Sequence, residues 1–226
     1  MDLLTFLMLG IGFGFLHALE PDHLTGVATI ASSTRSKLIA FQRGVIWGIG
    51  HTLVILILYI VMQGLRLRVN ETEFIKLEIL VGVMLILLGL RIWYKLLKGK
   101  YHFHPHKHED EIGHLHFHSH KLNESHEHIH IPFGIGVIHG LAGSGAVILA
   151  LTLQIKNQLM GALYIILFGA GSCIAMGMFS GFIVSSIDIM GTRVKNFDKV
   201  VTIAVTIIAT VSCLLGYRII RNSNLF

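Results

Sequence analysis

The chain has 226 residues, of which 53% are hydrophobic and only 14% charged, with a mean hydropathy of +0.70. A soluble domain carries about 25% charged residues, so the composition excludes an ordinary water-soluble globule. The net charge of +5 comes from lysines and arginines near the ends of apolar runs, which is how spans are anchored, and not from a patch suited to nucleic acid.

A spanning helix needs about 20 mainly apolar residues. Six segments qualify, at 2–31, 38–65, 73–97, 132–153, 158–187 and 198–219. Their length and lack of alternation exclude barrel strands. No lysine or arginine precedes Arg35, so a secretory signal peptide is not expected. The first segment is too long for one straight span and contains Pro21, where a break is predicted. Around that proline lies the cluster His17-Ala-Leu-Glu20-Pro21-Asp22-His23. The second segment holds Gly50-His51-Thr52, the fourth His139, with Ser144 shortly after, and the fifth Ser172. Cys173 and Cys213 sit inside apolar runs and supply no disulfide framework.

Between the third and fourth segments the composition changes. His102, His104, His106, His108, His114, His116, His118, His120, His126, His128 and His130 all fall on even positions, interleaved with lysine, acidic residues and serine. Such a stretch cannot build a packed core and reads as a polar linker. If extended, its period-two pattern puts the imidazoles on one side.

The two flanking parts echo one another. Gly12-Phe-Gly14-Phe-Leu-His17 aligns with Gly134-Ile-Gly136-Val-Ile-His139 at a shift of 122, and Gly48-Ile-Gly50 with Gly169-Ala-Gly171 at 121. Leu88-Gly89-Leu90-Arg91 aligns with Leu215-Gly216-Tyr217-Arg218 at 127. Three spans per repeat is an odd number, so the second half enters from the opposite face. The expectation is an all-α polytopic membrane protein, with six transmembrane helices as two inverted three-helix repeats, 1–97 and 132–226, joined by the linker 98–131. Twelve of the eighteen lysines and arginines fall on one side, which places the linker in the cytoplasm and both termini outside.

An ionisable group at membrane depth costs about 2.5–3.5 kcal/mol on insertion scales, so it usually faces a pathway or an ion. Two imidazoles and a carboxylate suit a divalent transition metal better than Mg2+ or Ca2+. On an unbroken helix Asp22 would point about 140° and His23 about 240° away from His17, so the three could not converge. The break at Pro21 removes that obstacle and is expected to free the His17 carbonyl as a further oxygen ligand. The candidate metal site is therefore His17, Asp22 and His23, joined by His51 and His139 from facing helices. Glu20, Thr52, Ser144 and Ser172 are secondary or pathway candidates, and the linker histidines an auxiliary metal-buffering tract.

The seven residues His17 to His23 resemble the His-x4-Asp-His signature of the nickel/cobalt transporter family, including its six-span UreH-like and NicO-like branches. Gly50-His51-Thr52 and His139-Gly-Leu-Ala-Gly-Ser-Gly145 are similar to further segments of that family. The resemblance implies transport of Ni2+ or Co2+ as substrate, without an organic cofactor, through a plasma or inner membrane. It also implies a nickel-delivery or urease-maturation protein as cytoplasmic partner. The better-known uptake members have eight spans, and the efflux branch tends to carry Gly where Asp22 stands. The expected activity is secondary transport by alternating access, in the uptake direction. Efflux by the same architecture is the alternative, and an intramembrane metal hydrolase with Glu20 as base is the remote one.

Overall fold

The computed structural model describes residues 3–32, 34, 36–66, 71–98, 103–106, 114–117, 130–141, 144–193 and 197–223. Among these described residues eight helices follow in order: α1 (Leu3–His17), α2 (Pro21–Ala31), α3 (Lys37–Leu65), α4 (Glu71–Leu97), α5 (His130–Gly140), α6 (Ser144–Leu153), α7 (Gln158–Arg193) and α8 (Phe197–Asn222). Four stretches, Lys37–Leu65, Lys76–Leu97, Gln158–Ile187 and Lys199–Asn222, are long and apolar enough to cross a bilayer. They match the second, third, fifth and sixth segments predicted from the sequence. The molecule is a polytopic membrane protein.

The first and fourth predicted segments are each divided into two half-helices. Neither 15-residue α1 nor 11-residue α2 reaches across about 30 Å of hydrocarbon at 1.5 Å per residue. Pro21 sets the first division. Its ring forces Glu20 into an extended conformation (φ −61°, ψ 147°) and its fixed φ then starts α2. The second division was not anticipated from the sequence. α5 stops at Gly140 and α6 begins at Ser144, in a stretch with Gly143 and Gly145 but no proline. Glycine is a poor helix former and serine a good helix start, so the same break arises from different chemistry.

The half-helices lean on the long helices of the opposite half. α1 packs on α7 and α5 on α3, while α3 packs on α7 and α4 on α8. The closest approaches are reciprocal. Gly14 lies against the Phe168 carbonyl and Gly136 against that of Trp47. Gly171 lies against the Ile11 carbonyl and Gly50 against that of Phe133. Gly89 faces the Ala209 carbonyl as Gly216 faces that of Gly82. Each pair interconverts under the shifts of 121, 122 or 127 read from the sequence. Small residues at these points let backbones touch, the usual driving contact between helices in lipid.

The interior is filled by Trp47, Leu85, Leu149, Ile165, Phe168 and Met176, all within 1% of complete burial. The outer faces expose Leu16, Ile57, Leu87, Phe182 and Leu214, which suits contact with acyl chains. Within the linker, β1 (Phe103–His106) and β2 (His114–Phe117) pair antiparallel, with His104 opposite His116 and His106 opposite His114. His102, His108, His118, His120, His126 and His128 lie outside the described residues, and His130 is the first residue of α5.

The reciprocal contacts generate a stability prediction. Gly14→Val and Gly136→Val force branched side chains into a neighbouring backbone and should each cost about 1–3 kcal/mol. A Cβ at Gly12 or Gly134 meets nothing within 4 Å, so Gly12→Ala and Gly134→Ala should melt close to the native protein. Thermal unfolding in detergent, followed by tryptophan fluorescence, measures the difference.

Candidate metal centre

Five polar side chains meet where the two breaks face α3. His17 is the last residue of α1, Asp22 and His23 are in the first turn of α2, and His139 is in the last turn of α5. His51 comes from the middle of the 29-residue α3. His23 and His51 are fully buried, His139 is 1% exposed, His17 is 6% and the Asp22 side chain 22%. The ring centroids of His23 lie 4.0 Å from His139, 4.4 Å from His17 and 5.2 Å from His51. The structure thus brings together all five residues singled out as candidate ligands.

Asp22 organises the group. Its Oδ1 accepts from the His23 backbone N–H at 2.9 Å and lies 3.2 Å from His23 Nδ1, while Oδ2 lies 3.0 Å from His139 Nε2. An ionised carboxylate only accepts, so those ring nitrogens are its donors. The partner nitrogens, His23 Nε2 and His139 Nδ1, are then lone-pair atoms, and both are buried without a protein partner. At the other side His17 Nδ1 lies 3.2 Å from Glu20 Oε1. His17 Nε2 and His51 Nε2 are 3.3 Å apart, and His51 Nδ1 is a third buried nitrogen without a protein partner. Buried polar atoms nearly always have partners, so three such nitrogens in one cluster mark a place for an ion or water.

Two overlapping groups have ligand atoms within 4.8 Å of one another: His17, His23 and His51, and Asp22, His23 and His139. Bonds of about 2.0–2.2 Å place ligand atoms around one ion roughly 3–4 Å apart, so a small contraction suffices for either group once the ring nitrogens that face Asp22 give up their protons. His23 belongs to both. Imidazole nitrogens with a single carboxylate favour a late first-row divalent ion.

The remaining candidates sit differently. The His17 carbonyl, expected to be free, accepts from the Glu20 N–H at 3.0 Å, because the chain turns tightly before Pro21. Thr52 donates to the Gly48 carbonyl at 2.8 Å and packs where α7 passes at Gly169. Ser172 donates to the Gly14 carbonyl at 2.9 Å. Both hydroxyls thus bond to backbone at helix contacts. Ser144 opens α6, and its side chain lies outside the described residues. Two aromatic walls went unnoticed in the sequence. Trp47 stacks 6.4 Å from His23 and packs 5.6 Å from His139, and Phe168 lies 5.0 Å from His17. Trp47 precedes His51 by one helical turn, and that spacing is the signal that could have found it.

Comparison with known proteins gives a consistent set of likenesses. A family model described as NicO, high-affinity nickel-transport protein, matches residues 3–135. The chain is 32% identical over 182 residues to the urease accessory protein UreH of Bacillus sp. (strain TB-90), covering 80% of this chain and 77% of that one. It is 26% identical to the chloroplast proteins FOR GROWTH AND FERTILITY 1 and 2 of Arabidopsis thaliana, over 87% and 92% of this chain. It spans only 54% and 55% of those two longer proteins. No solved structure matches the chain.

Because His23 belongs to both ligand groups, its loss should differ from the loss of any neighbour. With the histidines between 102 and 128 replaced by serine, a divalent metal at roughly 100 times its Kd should stabilise the protein by about 2.7 kcal/mol. His23→Ala should lose this stabilisation, whereas His51→Ala should retain part of it through Asp22, His23 and His139. Melting curves with and without Ni2+ measure both.

Proposed function

The chain belongs to the NicO family of high-affinity nickel-transport proteins, and from that membership we propose that it carries Ni2+, and Co2+ with it, inward across a plasma or inner membrane by alternating access. It is a transport protein and not an enzyme, so Glu20 has no role as a hydrolytic base. The single observation that carries the reading is the meeting of four imidazoles and one carboxylate from both halves of the chain, at two helix breaks and buried from lipid. His17, Asp22, His23, His51 and His139 form the transport site. The ion is first held by Asp22, His23 and His139 and then by His17, His23 and His51, exchanging ligands around His23.

Residues 1–97 and 132–226 are the two inverted repeats, and the reciprocal glycine contacts support that arrangement. In such transporters the substrate site lies between the repeats at the broken helices, and one repeat rocks against the other. The distribution of lysine and arginine supports a cytoplasmic linker and external termini. An imidazole binds metal only through a neutral nitrogen, so acid weakens metal binding by the tract, because protons compete. The linker histidines buffer the ion after release and present it to a nickel-delivery or urease-maturation protein.

A divalent ion held by one carboxylate and neutral imidazoles keeps a net charge of +1. An inside-negative potential favours inward movement of such a charge by about 2.3 kcal/mol per 100 mV. This charge balance favours uptake over efflux.

Uptake of radioactive nickel into proteoliposomes tests the proposal. Asp22→Ala and His17→Ala should reduce uptake to that of empty liposomes, and an inside-negative potassium diffusion potential should accelerate it. Removal of residues 102–129 should leave transport in place and change only its dependence on metal concentration. Abolished function on that removal would mark a metal store or sensor instead, and accumulation driven only in the reverse orientation would mark efflux.

A further inference from the structure

Beside the histidine cluster lies an open cavity of about 250 Å3. Its wall includes Glu20 and Asp22 at the first break, Glu78 of α4, and Leu215, Arg218 and Asn222 of α8. The start of α4 lies beside the end of α8, since Gly82 touches Gly216 and Ile220. Glu78 is seven residues from the start of α4 and Arg218 four from the end of α8. At 1.5 Å per residue these depths are about 10 and 6 Å below the helix ends. The cavity therefore leads from that face of the molecule down to the Asp22 carboxylate, which belongs to both the cavity wall and the buried cluster.

Volume and charge indicate its use. Six waters occupy roughly 180 Å3 at about 30 Å3 each, so a divalent cation with its full first hydration shell fits the cavity. It does not fit among the histidines, whose rings approach to 4.0 and 4.4 Å. The wall carries three carboxylates against the guanidinium of Arg218, and a cleft lined by one predominant charge concentrates counter-ions. We propose that this cavity is the antechamber of the ion's path, and that Glu78 is its receiving carboxylate, passing the hydrated cation to Asp22, where water is shed. Arg218 opposes the cation and sets how weakly the antechamber holds it. The inference rests on the transport reading above and adds a pathway residue, Glu78, and a counter-charge, Arg218, on a defined face.

Two measurements test it. In a Cys173→Ala/Cys213→Ala background, Leu215→Cys should react with a membrane-impermeant maleimide applied to the outer face of cells, and Ni2+ should slow the reaction. Ile207→Cys, on an exposed apolar face of α8, should stay inert. A Leu215→Cys that is unreactive, or reactive without any protection by Ni2+, overturns the antechamber.

In proteoliposomes, removing one carboxylate near a divalent ion in a hydrated space should raise KM roughly fivefold or more. Glu78→Gln should show this with little change in kcat, Glu78→Asp should restore most of it, and Arg218→Gln should lower KM. An unchanged KM in Glu78→Gln overturns the role of Glu78. Calorimetric titration of the purified variants with Ni2+ separates the two readings. Glu78→Gln should keep the affinity of the buried cluster, and His23→Ala, which breaks both ligand groups, should lose it. Intact binding in His23→Ala defeats the transport-site reading, while the maleimide result still reports on the cavity by itself.

Discussion

The structure depends on the interruption between His17 and Asp22. A continuous helix advances about 100° per residue and would aim His17, Asp22 and His23 in three directions. Pro21 stops that progression, because it cannot donate to the helix behind it and its ring pushes Glu20 into the extended region. α2 then starts anew, with Asp22 in its first turn, where the positive end of the helix favours a carboxylate. From there one carboxylate reaches His23 on one side and His139 on the other. The second interruption, between Gly140 and Ser144, places His139 at the end of its own half-helix, as His17 ends the first.

The breaks alone would leave a loose set of polar groups in a low-dielectric interior. Close packing makes the set converge. An imidazole is short, so His51 and His139 meet the first-half cluster only because α3, α5 and α7 approach at glycines: Gly136 against the Trp47 carbonyl and Gly140 against that of His51. The same contacts seal the cluster from lipid with Trp47 and Phe168. Helix packing and the geometry of the cluster are thus coupled at the level of single methyl groups, since a Cβ at these glycines would displace the backbone that carries a histidine.

The hydrogen bonds within the cluster also divide labour among the nitrogens. The Asp22 carboxylate takes one N–H from each of His23 and His139, fixing ring orientation, and leaves the opposite nitrogens directed elsewhere. Carboxylates behind imidazoles are the common way to hold a metal-binding ring in place and raise its basicity. Here Asp22 also borders the open cavity, so the group that orients the rings is the one that meets water. The same wall carries Glu20 and Glu78, with Arg218 as the counter-charge, so Asp22 is the carboxylate that links the open cavity to the buried rings.

Much of this was legible in the sequence because its signals are local. Long apolar runs announced six spans, of which four are single helices long enough to cross; the clustered His17, Asp22 and His23 announced a metal-binding chemistry, Pro21 announced a break, and repeated glycines announced close helix contacts. The second break was not legible, since Gly143 and Ser144 are ordinary in a membrane helix and nothing like Pro21 forbids continuation. Nor was the fate of the hydroxyls of Thr52 and Ser172, which depends on whichever carbonyl lies nearest. Glu78 and Arg218 look like common residues near helix ends until α4 and α8 pack beside the first break. The sequence by itself determined which segments are apolar, that the chain bends at Pro21 and which ligand types are present, because these follow from side-chain chemistry and backbone sterics within a few residues. Only the tertiary structure decided that His51 and His139 share one point with Asp22 and His23, and that a cavity of about 250 Å3 adjoins it, because those depend on distances between residues 28 to 196 positions apart in the chain, set by helix packing.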